Sequence, residues 1–210
     1  MIRVFVIDDH PLVRVGLRDV LEAQGDIQII GEAANGEEAY SAIGTNYPDV
    51  VLCDFHLPGW DGLEVTRRLL ARHPNLRILV VSVVEAGPVP RRLLAAGAKG
   101  YVSKAQDGGA VVKAVREVAA GRRFLDAALG PRLLFEVSPF DQLSARQMEV
   151  MWLVLRGKRT GEIAQTLGLT DSTVRTVRTK LMAKLGVEGD LGLIRLAMEY
   201  GLLPPAGGGG

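Results

Sequence analysis

Cysteine is nearly absent. Cys53 is the single one in 210 residues, which excludes an intramolecular disulfide and any cysteine-rich metal site. It sits in the apolar run Val50-Val51-Leu52-Cys53 and reads as a small core residue rather than a reactive thiol. Long apolar stretches are missing as well: none reaches the roughly 18 residues needed to span a bilayer. Met1 leads straight into an alternating strand pattern, not into a basic segment followed by an apolar one. A cytoplasmic protein without a membrane partner is therefore expected. Low-complexity sequence is confined to residues 204–210, Pro-Pro-Ala-Gly-Gly-Gly-Gly, which are expected to be disordered. Net charge is only +1, but it is unevenly spread. Between Arg156 and Lys184 seven basic side chains face two acidic ones, a local excess of five that suggests a polyanionic partner.

What is present is globular, with 48% hydrophobic and 23% charged residues. A chain of this length has room for two domains, each with its own core. The first half alternates short β-rich runs with helical patterns. Arg3 to Ile7 precedes Leu12 to Ala23, Ile27 to Ala33 precedes Glu37 to Ile43, and Val50 to Asp54 precedes Leu63 to Arg72. Arg77 to Val83 then precedes Val89 to Ala96, and Tyr101 to Ser103 precedes Val111 to Ala120. Strands that are apolar at successive positions fit a parallel sheet covered on both faces. Residues 1–121 are thus expected to form a doubly wound α/β domain on a five-stranded parallel sheet. Strand signals stop after Gly121; residues 122–141 read as a linker, and 142–203 as a small all-helical domain. Ser144 and Gln147 have the spacing of a helix-initiating capping box.

Polar residues in the first domain fall at strand ends. Asp8 and Asp9 follow the first strand, Asp54 ends the third, Ser82 ends the fourth and Lys104 follows the fifth. Carboxyl ends of the strands are where doubly wound folds bind ligands. Three carboxylates gathered there repel one another unless a cation joins them, and hard oxygen donors point to Mg²⁺. The chemistry that follows is phosphoryl transfer to a carboxylate. Asp54 is the nucleophile, while Lys104 and Ser82 hold phosphoryl oxygens. Tyr101, three residues before Lys104, is placed to change rotamer as Ser82 moves. Taken singly, each has a plainer reading: Asp54 as a helix cap, Lys104 as a surface cation, Tyr101 as core.

Asp8-Asp9, the run Asp54-Phe55-His56-Leu57-Pro58-Gly59-Trp60-Asp61-Gly62, Ser82, and Gly100-Tyr101-Val102-Ser103-Lys104 together resemble the receiver domain of response regulators. That resemblance implies a flavodoxin-like fold and adds one metal ligand, the main-chain carbonyl of His56. Ala105 departs from the proline that many receivers carry after the lysine. Val83 and Val84 are bulkier than the small residues many receivers have there, which leaves the phosphoryl lifetime open.

In the second domain, Leu143 to Val150 opens a helix expected to bury Met148, Met151, Trp152 and Leu155. Thr160 to Leu167 forms a second helix, Gly168-Leu169-Thr170 turns the chain, and a third helix starts near Asp171. This is the outline of a helix-turn-helix, for which a bundle with a merely solvated basic helix is the plainer alternative. Val174, Val177, Leu181 and Leu185 share the inward face of the third helix. Arg175, Thr176 and Thr179 then face outward as candidates for base contacts; Arg178, Lys180 and Lys184 are candidates for phosphates. The spelling Leu143-Ser144 to Val150, Gly161-Glu162-Ile163-Ala164, Asp171-Ser172-Thr173-Val174-Arg175 and Lys184-Leu185-Gly186 is similar to the LuxR-type helix-turn-helix. Over its whole length the chain resembles the NarL/FixJ family of two-component response regulators. Within it, Ser138-Pro139-Phe140 and the stretch from Gly189 to Leu202 look closest to the GacA/UvrY group.

The resemblance implies a transcription regulator, not an enzyme. A sensor histidine kinase, of the hybrid BarA/GacS type if the subgroup holds, is the expected phosphoryl donor. Duplex DNA is the expected target, with genes for small regulatory RNAs among those controlled if the subgroup holds. A homodimer is expected on phosphorylation or on DNA. The resemblance implies pairing through the last helix, Leu191 to Tyr200, whose apolar Leu193, Ile194, Ala197 and Met198 fit either that interface or simple packing on the third helix. Three rivals share parts of this pattern. A haloacid-dehalogenase-like phosphatase needs an aspartate two residues after its nucleophile, where this chain has His56. A receiver-based RNA antiterminator needs a different helical output, and a binder whose receiver is never phosphorylated has no use for the acidic residues.

Overall fold

Six parallel strands form the sheet in the computed structural model, which describes residues 1–44, 47–83, 88–126, 138–200 and 202–203. The described residues divide into two compact units. In the first, β1 (Ile2–Ile7), α1 (Pro11–Glu22), β2 (Ile27–Ala33), α2 (Gly36–Ile43), β3 (Val50–Cys53) and α3 (Gly62–Arg72) alternate along the chain. They are followed by β4 (Ile78–Ser82), α4 (Pro88–Ala95), β5 (Gly100–Ser103), α5 (Gly108–Ala119) and β6 (Phe124–Leu125). The strand order is β2-β1-β3-β4-β5-β6. Every residue of β3, β4 and β5 is buried, as a sheet covered on both faces requires. One face carries Val4, Val6, Val50, Leu52, Leu79, Val81 and Val102 against Leu21 of α1 and Val111, Val115 and Val118 of α5. Each such side chain contributes about 1.5–3 kcal/mol by leaving water.

The sixth strand corrects the expected five. Two residues are too short to show any periodicity, so Phe124–Leu125 reads as linker in the sequence. Main-chain geometry decides it instead: the N–H of Phe124 donates to the Lys99 carbonyl at 3.0 Å, and that of Asp126 to the Tyr101 carbonyl at 3.1 Å. A side chain at Gly100 would press within 2.8 Å of the Phe124 carbonyl, so glycine there permits the pairing. The sheet thus runs past residue 121.

At the other end of the expected linker, a 3₁₀ helix at Pro139–Gln142 buries Phe140 and packs with the second unit. Residues 127–137 and the tail 204–210 lie outside the described residues. The second unit continues with α6 (Ala145–Leu155), α7 (Thr160–Leu167), α8 (Asp171–Leu185) and α9 (Gly189–Glu199). Ser144 accepts from the Gln147 N–H while the Gln147 side chain accepts from the Ser144 N–H, the capping box expected of that pair. Met148, Met151 and Trp152 are buried with Val150 and Val154; Leu155, expected inside, is only half-buried. Gly168 closes α7 at φ +62°, a left-handed conformation that favours glycine, and Thr170 caps α8 two residues later. Among the described residues no helix is long and apolar enough to cross a membrane.

Candidate functional site

After β1 the chain turns to β2 on one side, and it returns to β3 on the other. The crevice outside the carboxyl ends of β1 and β3 is where such a sheet binds ligands. Backbone hydrogen bonds continue one step past the strands and fix the residues there. The Asp54 N–H donates to the Ile7 carbonyl at 2.8 Å, the Asp8 N–H to Ala33 at 3.2 Å and the Lys104 N–H to Ser82 at 2.8 Å.

Three strand ends therefore meet through their side chains. Lys104 Nζ lies 2.6 Å from Asp8 Oδ2 and 2.9 Å from Asp54 Oδ2, with both carboxylates buried. The remaining oxygens are also engaged: Asp54 Oδ1 accepts from the Phe55 N–H at 2.7 Å, and Asp8 Oδ1 from the His10 N–H at 2.9 Å. Burial raises the Asp54 carboxyl above its ordinary value, and the Asp8 charge adds to this; Lys104 opposes the rise without cancelling it. For Lys104, burial alone would lower the ammonium, but Asp54 and Asp8 outweigh it and hold the group above its ordinary value. Cys53 is fully buried, and burial pushes its thiol well up, with the Asp54 charge adding to the rise. It is a core residue, as expected.

Asp8, Asp9, His10 and Asp54 each present a donor atom within 4.8 Å of one another. Three carboxylates against the single Lys104 ammonium leave two negative charges uncompensated, and their hard oxygens suit a small divalent cation. The residues present fit Mg²⁺. The sequence reading missed His10, whose Nδ1 lies 2.7 Å from Asp9 Oδ1 and 3.2 Å from Asp8 Oδ1. Its place directly after Asp8-Asp9 was the available signal. The His56 ring, by contrast, stands outside this donor group and packs edge-on against Phe55, centroids 5.0 Å apart.

Ser82 and Tyr101 are both fully buried. The register pairs Val80 with Tyr101 and Ser82 with Ser103, which puts the Tyr101 ring and Ser82 on the same face of the sheet.

In the second unit, Arg175, Thr176, Thr179 and Lys180 lie along the exposed side of α8, while Val174, Leu181 and Leu185 are buried and Val177 half-buried. Thr176 and Thr179 donate their hydroxyl hydrogens to the carbonyls of Ser172 and Arg175, at 3.0 Å each. Arg178 and Lys184 are placed differently from the rest. Arg178 is half-buried, pairs with Asp190 and donates to Thr160 Oγ1 at 3.3 Å. Lys184 Nζ reaches the Gln142 carbonyl at 2.9 Å and Gln147 Oε1 at 3.2 Å. Both side chains fasten α8 to its own unit, a role that depends on distant residues and is invisible to spacing along one helix.

A parallel sheet with an acidic, lysine-bridged crevice, followed by a helix-turn-helix, defines a class of signalling protein: a phosphoacceptor module joined to a DNA-reading module. Comparison with known proteins agrees over both parts. The model of the response regulator receiver domain matches residues 4–116, and that of bacterial regulatory proteins of the luxR family matches residues 141–197. The chain is 36% identical over 209 residues to Response regulator UvrY of Escherichia coli (strain K12), covering 96% of each. It is 38% identical over 209 residues to Response regulator GacA of Pseudomonas protegens, covering 97% of this chain and 98% of that protein. Among solved structures, RcsB from Salmonella enterica serovar Typhimurium, bound to promoter rprA in the presence of phosphomimetic BeF3-, superposes with a TM-score of 0.80. It is 25% identical over 94% of this chain and 99% of that one. The chain belongs to the NarL/FixJ family of two-component response regulators, which join a receiver to a LuxR-type DNA-binding domain.

Proposed function

We propose that Asp54 accepts a phosphoryl group from a sensor histidine kinase, and that this event controls how the LuxR-type domain engages duplex DNA in the cytoplasm. The Lys104 bridge between Asp8 and Asp54 is the observation that carries the reading, because it gathers the acidic residues around one buried nucleophile. An Asp54 oxygen attacks phosphorus while the bond from phosphorus to the donor's imidazole nitrogen breaks, and that nitrogen keeps the electron pair. Asp8, Asp9, Asp54 and the His56 main-chain carbonyl would hold Mg²⁺, which when bound neutralises charge on the phosphoryl oxygens. Lys104 then turns from carboxylate to phosphoryl oxygen, and Ser82 donates to another. Tyr101, on the same face as Ser82, follows its movement and alters the surface beyond.

For DNA, Arg175, Thr176 and Thr179 meet bases in the major groove, and Lys180 meets a phosphate. Arg178 and Lys184 contribute through the donors their internal partners leave over. On α9, Leu193 and Ala197 are buried, whereas Leu191 is 82% exposed, with Ile194 and Met198 half-buried at helical spacing from it. This stripe supports a homodimer on a two-fold operator. The likeness to GacA and UvrY supports a hybrid kinase of the BarA/GacS type as donor and small regulatory RNA genes among the targets.

Intact mass after incubation with Mg²⁺ and acetyl phosphate tests the first step. Wild type is expected to gain one phosphoryl group and Asp54→Asn none. An adduct on both variants places the acceptor elsewhere. Absence of an adduct on wild type, with the cognate kinase as well as the small donor, supports the phosphorylation-independent reading instead.

A further inference from the structure

We infer that Arg14 is a positioning residue for the acidic site: its guanidinium grips the main-chain carbonyl of Asp8 while Glu32 holds it from the neighbouring strand. The inference rests on the reading of that site as the Mg²⁺ site. Asp8 and Asp9 sit on the short connection between β1 and α1, and α1 begins without the usual fastening, since the side chain of its N-cap residue, His10, makes no capping hydrogen bond. Arg14, in the first turns of α1, supplies another. It donates to the Asp8 carbonyl at 2.6 Å and, through Nε, to Glu32 Oε2 at 3.2 Å. Both side chains are largely buried, 18% and 22% exposed.

Glu32 stands opposite Val6 in the β1–β2 register, on a strand that cannot shift without disturbing the sheet. A planar guanidinium with donors at both ends can carry that rigidity to the ligand-bearing loop, which a lysine's single point charge cannot do.

Arg18, one helical turn further along α1, provides an internal comparison. It also pairs with Glu32, through Glu32 Oε1, but is 49% exposed and bonds to the carboxylate alone. Two arginines therefore share one carboxylate, and Arg14 is the one that grips the Asp8 carbonyl. Removing Arg14 frees the Asp8 carbonyl and lets the loop sample positions in which Asp8 and Asp9 no longer converge. Removing Arg18 changes the charge around Glu32 by the same amount and leaves the loop held. Residues that orient metal ligands from outside the ligand set change metal affinity by about 10- to 100-fold.

The test is Mg²⁺ titration calorimetry on the full-length protein, with the Mg²⁺ dependence of phosphorylation by acetyl phosphate followed in parallel. Arg14→Met is expected to weaken Mg²⁺ about tenfold and raise the half-saturating Mg²⁺ concentration equally, with the rate at saturating Mg²⁺ largely kept. Arg14→Lys, which can reach one partner at a time, should fall between. Arg18→Met should stay within about twofold of wild type, as expected for an exposed ion pair. Glu32→Gln, which keeps the shape but loosens the hold on Arg14, should weaken Mg²⁺ in the same direction and serves if Arg14→Met does not fold. A folded Arg14→Met with wild-type Mg²⁺ affinity overturns the inference, as does an equal loss in Arg18→Met. If wild type binds no Mg²⁺, the metal reading falls and takes this one with it; unaltered variants beside a binding wild type sink the positioning role alone.

Discussion

Asp54 is held at a cost. Its carboxyl is raised above the ordinary 3.8 chiefly by burial, even with the Lys104 contribution included. A folded-state value above the unfolded one means that the native state binds more protons in the window between them, so stability falls as pH rises through it. At neutral pH the ionised carboxylate is therefore a net burden. Asp54→Asn should melt a few degrees higher than wild type at neutral pH without divalent cations. The gap should close as pH falls toward the ordinary carboxylate range, where the wild-type group protonates. Saturating Mg²⁺ should reverse the order, because it stabilises wild type by about 2.7 kcal/mol at a hundred times its dissociation constant. Thermal denaturation across pH, with and without Mg²⁺, checks all three. A variant less stable than wild type without the cation would show that the Lys104 bridge outweighs the desolvation. That Asp54, Lys104, Asp8 and Asp9 come together was legible from their places at strand ends. His10 was signalled only by its place directly after Asp8-Asp9, and Arg14 not at all, because its role depends on side-chain direction at the start of α1, which spacing does not reveal.

The elements owe their positions to contacts of differing legibility. The βα alternation and the capping box at Ser144 can be read from periodicity and short-range chemistry. The sixth strand cannot, since it consists of two residues recruited by backbone pairing with β5. The start of α3 depends on a close approach of the same kind. A β-carbon at Gly62 would lie 2.5 Å from the Asp54 carbonyl oxygen and 2.7 Å from the Phe55 α-carbon, both main-chain atoms that cannot turn aside. Gly62→Ala is expected to cost about 1–3 kcal/mol and to weaken Mg²⁺ binding, because relief must come from the backbone that carries Asp54. Denaturant unfolding with a parallel Mg²⁺ titration checks this, and wild-type values in both would show that α3 can retreat without disturbing the site. On α8 the exposed residues divide by what they meet. Arg175→Ala should cost about 1–3 kcal/mol on the preferred operator and flatten the preference among sequences. Lys180→Ala should weaken every duplex alike and lower the salt slope by about 1. Binding to a panel of duplexes at several salt concentrations separates them; identical profiles would mean that neither residue reads a base.

At the scale of the whole molecule, the question is how a charge change at Asp54 alters the affinity of a separately folded DNA-binding unit. Phosphorylation exchanges the single negative charge of the Asp54 carboxylate for the roughly two of an acyl phosphate, and nothing so local acts at a distance unless the phosphorylated protein favours another assembly or arrangement. The outward stripe of Leu191, Ile194 and Met198 on α9 favours assembly as the route. Salt titration can detect it, because the slope of log affinity against log salt counts the phosphates neutralised. A monomer released from inhibition would bind more tightly with much the same slope, since one domain contacts the DNA in either case. A phosphorylation-dependent dimer would bind a two-fold operator with about twice the slope, since two domains then contact it together. The expected outcome for wild type treated with acetyl phosphate and Mg²⁺ is the second, with an affinity gain of about 5- to 150-fold. Asp54→Asn should show the unphosphorylated slope under both conditions. Replacing Leu191 with Asp should keep the mass adduct and lose the steep slope, since it spoils the stripe and leaves the acidic crevice intact. If the slope stays constant while affinity rises, control runs through relief of inhibition, and the exposed stripe on α9 must serve another contact.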